Sequence, residues 1–257
     1  MSASVQILQK IFGYQAFRGF QAEVIEAVTR GEDALVLMPT GGGKSLCYQI
    51  PALMRDGVAI VVSPLIALMK DQVDMLEDLG ISAAYLNSSQ TSEESQSVIE
   101  SLFRGEVSLL YVAPERLMTP RMLAMIEQLP ISLFAFDEAH CISIWGHDFR
   151  PDYGELTQIK ERFPHISRIA LTATADPQTR EEIAERLLIN PKRFIASFDR
   201  PNIRYRMVEK TKGYLDEVAD FITGEHMHES GIIYCLSRRK TEQVAQELQN
   251  RGVDALV

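Results

Sequence analysis

Long apolar runs and paired cysteines are both missing from this sequence of 257 residues. No stretch reaches the roughly 18 consecutive apolar residues of a membrane-spanning helix, and the N-terminal MSASVQILQK lacks the apolar core of a secretory signal. The cysteines Cys47, Cys141 and Cys235 lie far apart and form no C-x-x-C pair. We therefore expect no membrane protein, no disulfide framework and no zinc ribbon, and a reducing compartment fits.

Positive charge is also scarce. Lys and Arg total 26 against 35 Asp and Glu, which gives a formal net charge of -9. General electrostatic attraction to nucleic acid is therefore excluded as a binding mode, and a nucleic-acid partner would need a local basic and aromatic surface.

Short apolar runs that do not alternate with polar residues indicate strands buried on both faces, as in a parallel sheet. These predicted strands are Leu35–Met38, Val58–Val62, Leu109–Val112, Leu133–Phe136, Ile169–Thr172 and Ile232–Tyr234. Segments with helical period lie between them. One follows a capping box of Thr91 and Glu94, and another begins at Asp176-Pro177. The alternation predicts an α/β fold with a doubly wound, mostly parallel sheet.

The polar segment 199–212 divides the chain in this interpretation. We predict a first domain over residues 1–206 and the beginning of a second, incomplete domain over 207–257. The second would contain a strand at 231–235 between two helices.

A glycine-rich loop follows the first predicted strand. The segment 38–45 reads MPTGGGKS and precedes a helix, which is the setting of a phosphate-binding loop. Lys44 would reach the β and γ phosphates of a nucleotide, and Ser45 would bind Mg²⁺. Backbone groups of Thr40, Gly41, Gly42 and Gly43 would approach the phosphates. Met38 stands where the strict pattern has glycine, and a flexible turn is the alternative interpretation.

Asp137 and Glu138 end another predicted strand, which we expect to neighbour the strand of the glycine loop. Ligands of open parallel sheets bind beyond the carboxyl ends of the strands, so Asp137 would meet the Mg²⁺ and Glu138 would orient or deprotonate a water. A helix-capping pair is the alternative. A zinc site of His140, Cys141 and His147 lacks the usual ligand spacing.

Several segments together resemble the RecQ-family DNA helicases of helicase superfamily 2. They are IFGYQAFRGFQ (11–21), MPTGGGKS, SPLIALMKDQV (63–73), YVAPERL (111–117), DEAHCISIWGHDFRP (137–151), ALTATA (170–175), FDRPNIRY (198–205) and GIIYCLSR (231–238). The resemblance covers nearly the whole chain and implies a RecA-like P-loop NTPase lobe followed by an incomplete second RecA-like lobe.

The resemblance also implies a role for each group of residues. Tyr14 and Arg18 would sandwich adenine, and Gln21 would bond its edge. Lys44, Asp137, Glu138 and His140 would carry ATP hydrolysis, and His140 with Thr172 and Thr174 would couple it to movement of the lobes. The predicted single-stranded DNA loop consists of Trp145, His147, Phe149 and Arg150. Core packing is the alternative for Trp145.

Arg116 is an expected contact to the DNA phosphate backbone, with an ordinary surface arginine as the alternative. Asn202 and Arg204 would contact DNA or the nucleotide, with a surface hinge as the alternative. The chain departs from the family at Gly19-Phe20, where Pro-Gly is usual, and at Ile144, where Gln is usual.

The expected activity is ATP- and Mg²⁺-dependent 3′–5′ unwinding of DNA in recombination and repair. The expected partners are single-stranded and partly duplex DNA, in a cytoplasmic, nucleoid-associated and bacterial setting. Because the family's later second-lobe motifs, including an arginine finger, do not occur within 257 residues, we expect nucleotide binding with weak hydrolysis. An RNA helicase and a non-catalytic nucleotide- or DNA-binding module are the alternatives.

Overall fold

The computed structural model describes residues 2–143, 150–197 and 203–257. The predictions for Ile144, Trp145, His147, Phe149 and Asn202 therefore lie outside the described residues. The chain divides into two compact units, Met1–Asp199 and Arg200–Val257. The predicted boundary after residue 206 stays a prediction.

The first unit is built on a seven-stranded sheet in which every pair of neighbouring strands is parallel. Its strands are β1 (Ala34–Leu37), β2 (Val58–Val62), β3 (Ala83–Leu86), β4 (Leu109–Val112), β5 (Ile131–Phe136), β6 (Arg168–Thr172) and β7 (Lys192–Ile195). Their order across the sheet is β3-β4-β2-β5-β6-β1-β7. Strands β1, β2, β4 and β6 are buried along their whole length, because helices cover both faces.

The helices of the first unit form two layers. They are α1 (Ala3–Lys10), α2 (Gln21–Thr29), α3 (Leu46–Met54), α4 (Ile66–Asp78), α5 (Ser92–Phe103), α6 (Pro114–Leu117), α7 (Pro120–Ile126), α8 (Pro151–Glu155), α9 (Thr157–Arg162) and α10 (Pro177–Leu187). A short 3-10 helix spans Ala139–Ile142. Helices α2 to α4 pack on one face of the sheet and α5 to α10 on the other. The doubly wound α/β prediction is confirmed.

Local sequence signals account for several helix starts. The Thr91 hydroxyl accepts from the Glu94 N–H, and the Glu94 carboxylate accepts from the Thr91 N–H, so the predicted capping box is present at α5. Asp176 caps α10, and Pro177 occupies its first turn. Among the described residues, no helix is both long and apolar enough to cross a membrane.

The described residues of the second unit form two helices, α11 (Tyr214–Glu225) and α12 (Arg238–Gln249). They pack around Ala219, Val244 and Leu248. The strand predicted over residues 231–235 is wrong for this structure, since those residues have no strand assignment. A strand requires a ladder partner, and the described residues of this unit contain no strand to pair with.

Candidate nucleotide-binding site

Three adjacent strands deliver the candidate site residues to one edge of the sheet. Strand β1 leads into the glycine loop, β5 into Asp137, and β6 ends at Thr172. The expectation that the first two strands are neighbours is wrong, because β6 lies between β5 and β1. Leu37 is in register with Thr172, and Phe136 is in register with Ala170. The intervening strand therefore places Thr172 between the loop and the acidic pair.

The glycine loop has a backbone that only glycine adopts easily. Gly41 and Gly43 have φ angles of 79° and 75°. A Cβ on Gly42 would lie 2.9 Å from the Pro39 carbonyl oxygen, and a Cβ on Gly43 would lie 2.5 Å from the Gln21 amide nitrogen. The loop is thus a close-packed cradle, which argues against the alternative of a flexible turn.

Lys44 and Ser45 stand where the loop enters α3. The Lys44 ammonium donates to the Met38 carbonyl oxygen at 3.3 Å, which closes the loop on itself. Ser45 is the N-cap residue of α3 and makes no side-chain capping bond. The first N–H groups and the positive dipole end of this helix lie at the loop, as an anion-binding site requires.

Gln21 ties the segment before α2 to the glycine loop. Its side chain is 2% exposed. The Gln21 amide nitrogen donates to the Gly42 and Gly43 carbonyl oxygens, both at 3.1 Å, and its oxygen accepts from the Arg18 N–H at 2.8 Å. Gln21 therefore holds the glycine loop in place through these hydrogen bonds. Its bond to the adenine edge stays a prediction.

Tyr14 and Arg18 are both exposed, Tyr14 by 50%, on the same segment. They are accessible for the stacking predicted from the resemblance. The unusual Gly19-Phe20 pair is accommodated because Gly19 takes a positive φ of 49° and the Phe20 ring packs on Phe194, with centroids 5.8 Å apart.

The Asp137 carboxyl lies at the carboxyl end of β5. The backbone N–H of Asp137 donates to the Val62 carbonyl oxygen at 2.9 Å, which extends the β2–β5 pairing by one residue. Burial raises the pKa of Asp137 to about 6, with the Glu138 charge acting in the same direction, while Lys44 and His140 oppose the rise. The His140 side chain lowers the pKa of Glu138 most, and the Lys44 charge lowers it as well, so the lysine and both carboxylates share one electrostatic site.

His140 joins the acidic pair to the end of β6. Its Nδ1 lies 3.3 Å from the Glu138 carboxylate and 2.8 Å from the Thr172 hydroxyl. The Thr172 hydroxyl donates to the Thr174 carbonyl oxygen at 2.9 Å, so its lone pairs accept the Thr174 N–H and a proton on Nδ1. Bonds to the Cys141 thiol and to Glu138 raise the pKa of His140 to about 10. The structure thus brings together the residues predicted to couple hydrolysis to movement.

Arg150 follows the part of the predicted DNA loop that lies outside the described residues. Its guanidinium donates to the Pro64 carbonyl oxygen at 2.7 Å, and its N–H donates to the Cys141 carbonyl oxygen at 3.0 Å. The Arg150 main chain is thereby fixed beside the 3-10 helix that carries His140. Arg116 is half-buried on α6, after β4, and its contact with DNA stays a prediction.

Sequence reasoning missed the buried hydroxyls around this site. The Tyr153 hydroxyl donates to the Asp137 carbonyl oxygen at 2.7 Å. The Tyr48 and Tyr111 hydroxyls lie 3.3 Å apart, and the Gln49 amide donates to Tyr111 at 3.3 Å. Burial raises the pKa of both Tyr48 and Tyr111, and the Asp137 charge acts in the same direction. In the sequence, these residues show only a polar end group within otherwise apolar segments. That pattern does not identify their hydrogen-bond partners.

The donor set fits a nucleotide-borne Mg²⁺. Among the described residues, no group of three or more His, Cys, Asp and Glu side chains could hold a metal by itself. The candidate ligands are the Ser45 hydroxyl and the Asp137 carboxylate, and Mg²⁺ in such sites usually takes its remaining ligands from phosphates and waters.

A family model, two relatives and a solved structure resemble this chain. The family model described as DEAD/DEAH box helicase matches residues 18–183. The ATP-dependent DNA helicases RecQ of Pasteurella multocida (strain Pm70) and Haemophilus influenzae (strain Rd) are 53% and 52% identical over 98% of the chain. The chain spans 40% of the length of these relatives. The crystal structure of DUF1998 helicase MrfA shares the fold, with a TM-score of 0.68 and 18% identity over 97% of this chain and 41% of that chain. The predicted resemblance to RecQ helicases is confirmed, and the chain belongs to the DEAD/DEAH box helicase family.

Proposed function

We propose that this chain carries the ATP-binding part of a RecQ-type DNA helicase that moves 3′–5′ on single-stranded DNA and unwinds duplexes. The observation that carries the proposal is the convergence of the glycine loop, the Asp137–Glu138 pair and the His140–Thr172 contact on three adjacent strands. Recombination and repair, at DNA in a bacterial cytoplasm, are the proposed setting.

The nucleotide half of the function rests on the first unit. Bound ATP would supply the phosphoanhydride bond whose cleavage drives movement. Lys44 and the N–H groups of the loop would hold its phosphates, Ser45 and Asp137 would hold Mg²⁺, and Glu138 would orient the attacking water. Tyr14 and Arg18 would stack on the base.

The DNA half rests on the segment between the 3-10 helix and α8. Arg150 is fixed beside Pro64, and Trp145, His147 and Phe149 precede it in the sequence. Aromatic side chains stack on any base and suit a strand read without sequence preference. Arg116 is a proposed contact to the phosphate backbone, and Asn202 and Arg204 are proposed contacts to DNA or to the nucleotide.

An RNA helicase remains the second candidate. A hypothetical ATP-dependent RNA helicase from Sulfolobus tokodaii has the same fold, at a TM-score of 0.60, with 15% identity over 96% of this chain and 72% of that one. At 15% identity, this likeness shows only that the two proteins share a fold. The WGHDFRP segment favours DNA, because it belongs to the RecQ resemblance.

Nucleotide binding with slow turnover is the activity we propose for this chain alone. All nucleotide-site residues named above lie in the first unit. In the resembled family a second-lobe arginine stabilises the transition state, and this sequence does not contain that motif. Such an arginine contributes roughly 10³–10⁵ in rate in related enzymes.

The Lys44→Ala variant tests the nucleotide site. We expect the unchanged chain to bind a fluorescent Mg²⁺·ATP analogue and Lys44→Ala to bind it at least about tenfold more weakly, because a charge-assisted phosphate contact is lost. Lys10→Ala, which removes an exposed lysine at the end of α1, is the matched control. Equal affinity of the Lys44→Ala variant and the unchanged chain would contradict the proposed site.

Competition between single-stranded DNA and RNA of equal length then separates the two candidates. Preferential binding of DNA, with DNA-stimulated ATPase activity that depends on Lys44, supports the RecQ-type proposal. Preferential binding of RNA supports the alternative. Brisk turnover by this chain would contradict the slow hydrolysis that we propose.

A further inference from the structure

The buried Tyr153 hydroxyl hydrogen-bonds to the backbone of the Asp137–Glu138 pair and not to either of their carboxylates. The residue is 0% exposed on α8, and its hydroxyl donates to the Asp137 carbonyl oxygen at 2.7 Å. Burial raises the pKa of Tyr153 well above its usual range, so the phenol stays protonated and keeps donating.

The peptide group between Asp137 and Glu138 is held at both ends. Tyr153 holds its carbonyl oxygen, and the Asp137 carboxylate accepts its N–H at 3.0 Å. The N–H of Asp137 is in turn held by the Val62 carbonyl oxygen at 2.9 Å. These three bonds leave the peptide plane little freedom to rotate.

The fixed peptide has a consequence for Glu138. That residue adopts φ 47° and ψ 44°, the left-handed region that L residues with a side chain rarely adopt. Such a conformation persists only when the surroundings enforce it. In this conformation the Glu138 carboxylate lies 3.3 Å from His140 Nδ1.

We propose that Tyr153 is a positioning residue for the Asp137–Glu138 pair, holding their shared peptide so that both carboxylates face the Mg²⁺·nucleotide. This inference rests on the proposed ATP site. Without the hydroxyl the peptide rotates and Glu138 relaxes toward an ordinary conformation. The two carboxylates then meet the metal and its water less often.

The main chain at Tyr153 is held by hydrogen bonds as well. The Tyr153 N–H donates to the Arg150 carbonyl oxygen at 3.0 Å, and the Arg150 N–H donates to the Cys141 carbonyl oxygen at 3.0 Å. The backbone that follows residues 144–149 is therefore bonded to both the 3-10 helix and the Asp137 peptide.

The Tyr153→Phe variant tests the inference, because it removes one hydroxyl and keeps the buried ring. The measurement is the affinity for a fluorescent ATP analogue across a Mg²⁺ titration and in excess EDTA. We expect the Mg²⁺ concentration for half-maximal binding to rise roughly threefold to tenfold, the equivalent of one hydrogen bond. Affinity in EDTA should change by less than about twofold, since Lys44 and the loop are untouched.

Thr29→Val is the matched control. The Thr29 hydroxyl donates to the Ile25 carbonyl oxygen at 2.6 Å within α2, so the substitution also removes a hydroxyl-to-carbonyl bond. Thr29→Val should lower the melting temperature about as much as Tyr153→Phe does. It should leave the Mg²⁺ titration unchanged. A second arm places Tyr153→Phe in an Asp137→Asn background. There it should add little further Mg²⁺ shift, because both changes act through one carboxylate.

The outcomes separate this inference from the proposed function. If the unchanged chain binds the analogue with Mg²⁺ dependence and Tyr153→Phe does not alter that dependence, the positioning role is overturned while the ATP site stands. Equal weakening with Mg²⁺ and in EDTA overturns it as well, since that pattern reports general destabilisation. Absence of any Mg²⁺-dependent binding by the unchanged chain overturns the proposed function and this inference together.

Discussion

The Asp137 carboxyl is in an environment that opposes its own charge. Burial and the neighbouring Glu138 raise its pKa to about 6, and the bond from the Glu138 N–H, Lys44 and His140 only partly offset them. A carboxylate that binds a divalent cation must be ionised. A bound Mg²⁺ would therefore stabilise the deprotonated form, and cation binding and proton release are linked.

This linkage predicts how Mg²⁺·nucleotide affinity depends on pH. Above pH 7 Asp137 is largely ionised, and as the pH falls through 6 the protonated fraction rises. From pH 7.5 to 5 we expect affinity to fall by about tenfold more in the unchanged chain than in Asp137→Asn, because one proton must leave on binding. The terminal phosphate of ATP titrates in the same range, and its contribution is common to both proteins. Parallel pH profiles of the two proteins would show that Asp137 does not titrate on binding.

At the residue scale, the sequence predicts which side chains would hold a nucleotide but not which contacts support them. The pattern GGGKS and the pair Asp137–Glu138 carry their chemistry in residue type and spacing. The bond from Tyr153 to Asp137 spans sixteen positions. The Gln21 bonds to Gly42 and Gly43 span twenty-one and twenty-two. Tertiary packing decides such partners, and a single sequence does not encode it in any local pattern.

At the scale of elements, burial decided which strands were predictable. Strands β2 and β4 match the predicted segments because each is a continuous apolar run between two helical layers. The edge strands β3 and β7 were missed. Their sequences, AAYL and KRFI, include partly exposed or charged positions, since one side of an edge strand has no neighbour. Residues 231–235 show the converse, an apolar run without a partner strand.

The amino ends of three strands are joined by one buried ion pair. Asp33, just before β1, accepts from the Arg168 N–H at 2.8 Å and from its guanidinium at 3.0 Å. Its carboxylate also accepts the Ile189 N–H at 2.7 Å, and its carbonyl oxygen accepts the Lys192 N–H at 2.9 Å. Arg168 is 1% exposed. The pair holds β1, β6 and β7 at the edge of the sheet opposite the glycine loop.

Asp33→Asn is expected to destabilise the first unit by about 3–5 kcal/mol, because it leaves the Arg168 charge buried without a counter-charge. Urea unfolding followed by far-ultraviolet circular dichroism measures the change. Glu106→Gln, which breaks the exposed pair with Arg104, is the control and should leave stability nearly unchanged, because water screens an exposed ion pair. Mg²⁺·nucleotide affinity should stay unchanged at temperatures where Asp33→Asn is folded. A loss comparable to that of Glu106→Gln would show that the pair contributes little.

At the scale of the whole chain, the two units differ in how much apolar surface they bury. Seven strands and two helical layers enclose the first unit's core. In the second unit the described residues leave many large apolar side chains exposed, among them Met207 at 99% and Tyr234 at 92%. Residues 203–211 and 231–235 have no helix or strand assignment. Few buried contacts and open backbone groups are the physical signature of low local stability.

Limited proteolysis is expected to separate the units. Trypsin has four sites between Arg204 and Lys212, in exposed backbone outside helices and strands. We expect the first cleavage there, because a protease needs several residues of exposed chain without regular structure, and residues 203–211 provide them. The resistant fragment should retain the Mg²⁺·nucleotide affinity of the intact chain, since the glycine loop, Asp137 and Tyr153 all lie before the cut. Mass spectrometry locates the cut, and a boundary at residue 206 predicts a fragment that ends close to it. First cleavage inside residues 2–143 would contradict the expected order of local stabilities. Loss of nucleotide binding on cutting near residue 206 would mean that the first unit depends on the second for its stability.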